Sequence, residues 1–146
     1  MDVNKSDSQI EESEVPMESG TKQFRKRNAI LTCLRGTDTH PSAEMVYGML
    51  QEEHPDISLA TVYRNLSLFR NQGTIQCVAT VRGVERYDAN VEPHVHFICS
   101  ECGAIMDLDD VKAPASLTHT AEVSSGGEVT ACQLSFTGRC KACISK

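Results

Sequence analysis

Two short runs, Cys99-Ser100-Glu101-Cys102 and Cys140-Lys141-Ala142-Cys143, limit the folds open to this chain more than any other feature. Each pairs two thiols across a two-residue gap, and 37 residues separate the two runs. That gap lets both sulfurs of a knuckle face one ion, and four thiolates at tetrahedral positions suit Zn²⁺, with Zn–S about 2.3 Å. Any fold of this chain must then bring its last residues against the middle of the sequence. Four unrelated thiols or a redox pair form the competing reading, which the repeated spacing makes hard to sustain. The seven Cys are not read as a disulfide framework, because the start MDVNKSDSQIEESEVPMESG is acidic and polar and does not read as a secretory signal. No apolar run approaches the ~18 residues of a membrane span. A cytoplasmic location, where thiols stay reduced, is expected.

The net charge of −6 argues against a nucleic-acid partner until it is divided by region. Residues 1–20 carry a net −5 and lack aromatics and periodicity, and they are expected to be a disordered acidic tail. Residues 21–86 hold nine Lys/Arg against six Asp/Glu, a net +3, while residues 87–146 carry −4. The basic middle permits DNA binding without demonstrating it.

That middle reads as three helices and a hairpin. TKQFRKRNAILTCLRG spaces Phe24, Arg27, Leu31 and Leu34 helically and stops at Gly36. HPSAEMVYGMLQEEHP starts at Ser42 as N-cap and is expected to bury Val46, Met49 and Leu50. In DISLATVYRNLSLFRNQG, Ser58 caps the start, Gly73 the end, and Leu59, Val62, Leu66 and Phe69 form one apolar stripe. TIQCVATVRGVERYDA then reads as two strands around Arg82-Gly83. Three helices followed by a hairpin is the winged-helix order.

Beyond it, PHVHFIC and GAIMDLDD read as strands, VKAPASLTHTAEV as a short helix or loop, and EVTACQLSFTG as a last strand through Val129, Ala131 and Leu134. The expectation is an α+β chain: a winged-helix unit over 21–88, then a small α/β unit over 89–146 with an antiparallel sheet. His94 and His96 alternate on one strand and so share a face, which raises a metal site beside the ordinary reading of packed histidines. Spacing alone does not join His40, Asp88 or Asp107 to them. Cys33, Cys77 and Cys132 are expected to be buried thiols.

HPSAEMVYGML, SLATVYRNLSLFRNQG, HVHFICSECG and GRCKAC, in this order, resemble the ferric uptake regulator family from about Arg27 to Cys143. Within it the chain looks most like the peroxide-sensing PerR branch. The resemblance implies a winged helix followed by a dimerisation domain, in a dimeric, metal-dependent repressor that is not an enzyme and takes no small organic substrate. It also implies a structural Zn²⁺ on Cys99, Cys102, Cys140 and Cys143, and a regulatory Fe²⁺ or Mn²⁺ on His40, Asp88, His94, His96 and Asp107. Asp107 stands where iron sensors commonly have Glu, and Asp88 near where zinc sensors typically use Cys. Pro93, Val95 and Cys132 stand where an additional site of many relatives would have ligands. Arg64 looks like the iron-sensing branch, since peroxide sensors can carry Asn there. Ser124-Ser125-Gly126-Gly127 shortens the connector ahead of the last strand.

On the residues alone the polar face of the third helix is as readily solvated as functional. The resemblance implies that Ala60, Thr61, Tyr63 and Arg64 read base edges of a palindromic site while Arg70 and Arg82 meet phosphates. It further implies that iron-driven oxidation falls on His40 and His94. Two other readings remain open: an iron-, manganese- or zinc-responsive uptake regulator without peroxide sensing, and a thiol-redox or metal-carrier protein. The capped, Arg-bearing third helix speaks against the last.

Overall fold

A computed structural model describes residues 21–146; the expected tail over 1–20 lies outside the described residues. Helices α1 (Lys22–Arg35), α2 (Ala43–Leu50) and α3 (Leu59–Asn71) come first. Each starts on a hydroxyl that accepts a backbone N–H two or three residues into the helix: Thr21 from Phe24 at 3.2 Å, Ser42 from Met45 at 3.2 Å, and Ser58 from Thr61 at 3.1 Å. Strands β1 (Gln76–Val81) and β2 (Val84–Asp88) follow as an antiparallel hairpin. Its turn residues Arg82 and Gly83 have φ of 51° and 78°, as a two-residue hairpin turn matched to strand twist requires.

The helices and hairpin enclose one apolar cluster in which Ile30, Val46, Val62 and Leu66 are fully buried and Ile75 and Tyr87 close the strand side. On α1 the buried positions are Ile30 and Leu34, while Arg27 is exposed. Two expectations about the cluster need correcting. Met49 is 44 % exposed, and Ala43 is buried in its stead. Of the α3 stripe, Val62, Leu66 and Phe69 are buried, while Leu59 in the first turn is only half-buried.

The second half holds β3 (His96–Cys99), β4 (Ile105–Asp107), helix α4 (Ala115–Ser125), β5 (Ser135–Gly138) and a short α5 (Lys141–Ile144) after the second knuckle. The sheet order is β4-β3-β5, with β3 antiparallel to β4 but parallel to β5. The expected antiparallel sheet is therefore mixed, because the chain crosses over through α4 before returning to β3. The last strand also begins only at Ser135, leaving Val129, Ala131 and Leu134 outside it. Helix α4 ends on Gly126 at φ 71° and buries none of its residues. Cys33 and Cys77 are half-buried and Cys132 is exposed, so the expectation of three interior thiols holds for none of them fully.

Candidate metal centres and DNA-facing surface

Among the described residues two groups of side chains bring ligand atoms within 4.8 Å of one another. The first is Cys99, Cys102, Cys140 and Cys143. Cys99 ends β3, Cys102 sits in the turn to β4, and Cys140 and Cys143 flank the start of α5. Ser100 N–H donates to the Gly138 carbonyl at 2.7 Å, which draws the two knuckles together along the β3–β5 seam. The Cys99 and Cys143 sulfurs lie 3.8 Å apart and those of Cys102 and Cys140 3.7 Å. Donors about 2.3 Å from a tetrahedral zinc stand about 3.8 Å apart, so the spacing fits that ion. Backbone N–H groups of Cys102 and Cys140 hold the Cys99 thiol down to about 6, the latter donating to its sulfur at 3.3 Å. Hydrogen bonding to Cys140 and burial push Cys143 up to about 12. A cation removes the cost of bringing thiolates this close.

The second group is His40, Asp88, His94, His96 and Asp107. His40 precedes α2, Asp88 ends β2, His94 and His96 enter and begin β3, and Asp107 ends β4. His96 and Asp107 face each other across the β3–β4 register. Each of the three Nε2 atoms lies close to both carboxylates. The distances to Asp88 Oδ2 are 3.2, 2.9 and 3.3 Å for His40, His94 and His96, and to Asp107 Oδ1 they are 3.0, 3.1 and 3.2 Å.

Three rings cannot supply six N–H donors at Nε2, so hydrogen bonding alone does not account for these contacts. Donors at right angles about 2.1 Å from one ion stand about 3.0 Å apart, which does. His94 Nδ1 donates to the Glu92 carbonyl at 2.6 Å; a carbonyl only accepts, so the Nε2 lone pair of a neutral ring is free to ligate. His40 Nδ1 is buried with no partner.

Charge accounts for the rest of the cage. Burial disfavours a charged His40 ring, but Asp88 and Asp107 outweigh it and hold the ring above the ordinary imidazole value. His94 is shifted the same way, burial being outweighed by the Glu92 carbonyl and both carboxylates. His96 falls below the ordinary value, chiefly through burial and the two neighbouring rings. Burial pushes the Asp88 carboxyl up, yet hydrogen bonds led by His40 bring it well below the usual carboxylate range. Three nitrogens and two oxygens, with no sulfur, suit Fe²⁺, Mn²⁺ or Zn²⁺.

Ala60, Thr61, Tyr63 and Arg64 occupy the first turns of α3. Ala60, Tyr63 and Arg64 are exposed. The Tyr63 hydroxyl donates to Glu44 at 2.5 Å, and Arg64 to Thr61 Oγ1 at 3.2 Å. Arg70 pairs with Glu85 at 2.9 Å, and Arg82 donates to the Glu101 carbonyl, so both cations expected to meet phosphate have partners within the chain. An open cleft of about 750 Å³ runs along this face between α1 and α3. It adds Lys26 and Arg27 to the basic surface, Arg27 donating to Asn65 Oδ1 at 3.3 Å. Their signal in the sequence is the cationic run Arg25-Lys26-Arg27.

Residues 18–137 match the model of the ferric uptake regulator family. The chain belongs to that family. Family members are metal-responsive transcriptional regulators, which places the chain among regulators. The peroxide-responsive repressor PerR of Staphylococcus aureus is 30% identical over 147 residues, covering 100% of this chain and 99% of that protein. The Campylobacter jejuni peroxide stress regulator has 31% identity and a TM-score of 0.71 over 84% of this chain and 91% of its own. The ferric uptake regulator of Francisella tularensis, solved with iron, has 29% identity and a TM-score of 0.71, covering 87% and 97%. The family's winged-helix order, followed by a small mixed α/β unit, is the fold described above. Among the described residues no helix is long and apolar enough to cross a membrane.

Proposed function

We propose that the chain is a peroxide-responsive, metal-dependent repressor that binds palindromic DNA as a homodimer. The observation that carries this reading is the convergence of His40, Asp88, His94, His96 and Asp107, drawn from both halves of the chain, on one point. In this reading residues 21–88 read DNA, residues 89–146 pair two copies, and the four cysteines hold a structural Zn²⁺. Exposed Leu117, Val123 and Phe136 on α4 and β5, at 43, 70 and 46 %, supply apolar surface for the pairing.

His40 is the one ligand that lies ahead of α2. Held on a common ion with His94, His96 and Asp107, it fixes α2, which it precedes, and α3, which shares a core with α2, relative to the pairing half. Two copies of α3 must enter major grooves about 34 Å apart, so a small swing spoils the fit. Occupancy of the cage and of DNA then strengthen each other by the same factor. Ala60, Thr61, Tyr63 and Arg64 read base edges, while Arg70 and Arg82 exchange Glu85 and the Glu101 carbonyl for phosphates.

Fe²⁺ held by His40, Asp88, His94, His96 and Asp107 would supply redox chemistry toward hydrogen peroxide, one peroxide oxygen adding to a ring carbon and the other leaving as water. His40 and His94 are the rings we assign to oxidation. An oxygenated ring is a poorer donor, and loss of His40 frees the DNA-reading half. The S. aureus repressor and the short Asp107 side chain support the peroxide signal. Arg64 and the likeness to the F. tularensis regulator favour the second reading, an iron-, manganese- or zinc-responsive uptake regulator without peroxide sensing.

Mass spectrometry after peroxide treatment of the Fe²⁺-loaded protein separates them. One added oxygen on peptides holding His40 or His94, with loss of DNA binding, is expected; the Mn²⁺-loaded protein should stay unmodified and bound. Release of DNA on chelation alone, with no added oxygen, sinks the peroxide reading.

A further inference from the structure

One side chain beside the cage makes contacts that belong neither to the ligand set nor to the DNA-facing surface. Arg86 stands two residues before Asp88 on β2, so both side chains leave the same face of the strand. Its Nε donates to the His40 carbonyl at 2.5 Å, its Nη2 to the Thr39 carbonyl at 2.9 Å and its Nη1 to the Gly103 carbonyl at 2.9 Å. Three donors of one planar group thus join two distant segments: the loop that presents His40 and the turn that closes the first cysteine knuckle.

Both segments are under constraint. The Gly103 N–H donates to the Cys99 carbonyl at 3.0 Å, and its φ is 75°. A Cβ there would meet Val81 Cγ1 at 3.1 Å, so the turn lies directly against the hairpin that carries Arg86. His40 has a φ of 51°, a left-handed conformation that a residue with a side chain keeps only where its surroundings hold it. The Arg86 bond to its carbonyl provides that hold.

We infer that Arg86 is a positioning residue through which the four-cysteine turn sets the metal affinity of the imidazole–carboxylate cage. The inference rests on the reading above that the cage holds an ion. The knuckle fixes the 99–103 turn, the turn fixes Nη1, and the planar guanidinium passes that position to the Thr39–His40 backbone. A lysine keeps the charge but concentrates its donors at one point, so it cannot span three carbonyls.

The full-length, zinc-loaded protein is titrated with Mn²⁺ and followed by the paramagnetic resonance of the free ion. Arg86→Lys and Arg86→Gln are expected to weaken Mn²⁺ binding about 10- to 100-fold with zinc content unchanged. In the same variants the visible bands of Co²⁺ placed in the cage should change, reporting an altered ligand field that a general loss of stability does not produce. Arg139→Gln is the control, because Arg139 approaches the same turn only through the Glu101 side chain at 3.6 Å, and its Mn²⁺ affinity should match the parent.

Gly103→Ala disturbs the coupling from the other end while retaining every ligand residue and Arg86 itself. Its loss and that of Arg86→Lys should be less than additive when combined, since both break one path. A parent protein that binds no Mn²⁺ removes the reading beneath the inference, and the inference with it. Parent binding with undiminished Arg86 variants, or strictly additive losses in the double variant, overturns the inference alone.

Discussion

The two halves of the molecule are held together by different means. The first encloses an eleven-residue apolar cluster among the described residues, with Ile30, Val46, Val62 and Leu66 at 0 % exposure. In the second, the buried cluster consists of Cys99, Cys140 and Cys143, with Phe97 and Ala104 packed against it, and α4 buries nothing. That cluster is small against the chain entropy it must offset, and in the proposed reading coordination chemistry and a second copy supply the difference. The cage of His40, Asp88, His94, His96 and Asp107 then lies where a self-supporting half meets one that depends on bound partners. In the proposed reading control is exerted there, since a single ligand set would decide whether the second half holds the first in place.

Removing a thiol should expose the contrast most sharply. Cys140→Ser is expected to release zinc and unfold the second half while the helical signal of the first half persists. Zinc assay, circular dichroism and sedimentation check this; a variant that keeps its zinc and its assembly state would erase the distinction. Leu66→Ala attacks the other half and should lower stability to denaturant by about 2–5 kcal/mol with zinc still bound.

A smaller effect comes from protons at the cage. In the metal-free protein, His40 and His94 are held above the ordinary imidazole value, the carboxylates outweighing burial. The stabilisation from their charged forms is present below about pH 6.5 and is lost as pH rises through the raised values. Metal needs the neutral rings, so affinity runs the opposite way. Mn²⁺ binding should weaken on going from pH 8 to 6, approaching about tenfold per pH unit for each displaced proton, while zinc stays bound. A dissociation constant indifferent to pH would remove these rings from the ligand set. Smallest is Ser58→Ala, which deletes the α3 cap and should cost about 1 kcal/mol, read as a modest fall in melting temperature.

Much of this was legible in local sequence. The hydroxyls of Ser42 and Ser58, the Arg82-Gly83 turn and the paired knuckles each declare themselves within a few residues, because caps, tight turns and short chelates are local physics. The parallel pairing of β3 with β5 was not, since nothing near Ser135 records which neighbour it joins. Arg86 stayed hidden for the same reason: its partners at 39, 40 and 103 come together only in the folded chain. Met49 was misplaced because helical spacing gives a face but not its exact edge. The cage fell between these cases, with His94 and His96 plain from alternation and His40, Asp88 and Asp107 joined to them only by family likeness.

The crossover that returns the chain to β3 also sets a sequence of events in time. Cys99 and Cys102 are synthesised first, and the thiols that finish their site follow only after 37 intervening residues. In the proposed reading a newborn chain completes its DNA-facing half before its zinc ligands, and a cell short of that ion would accumulate molecules able to fold their front half but not to assemble.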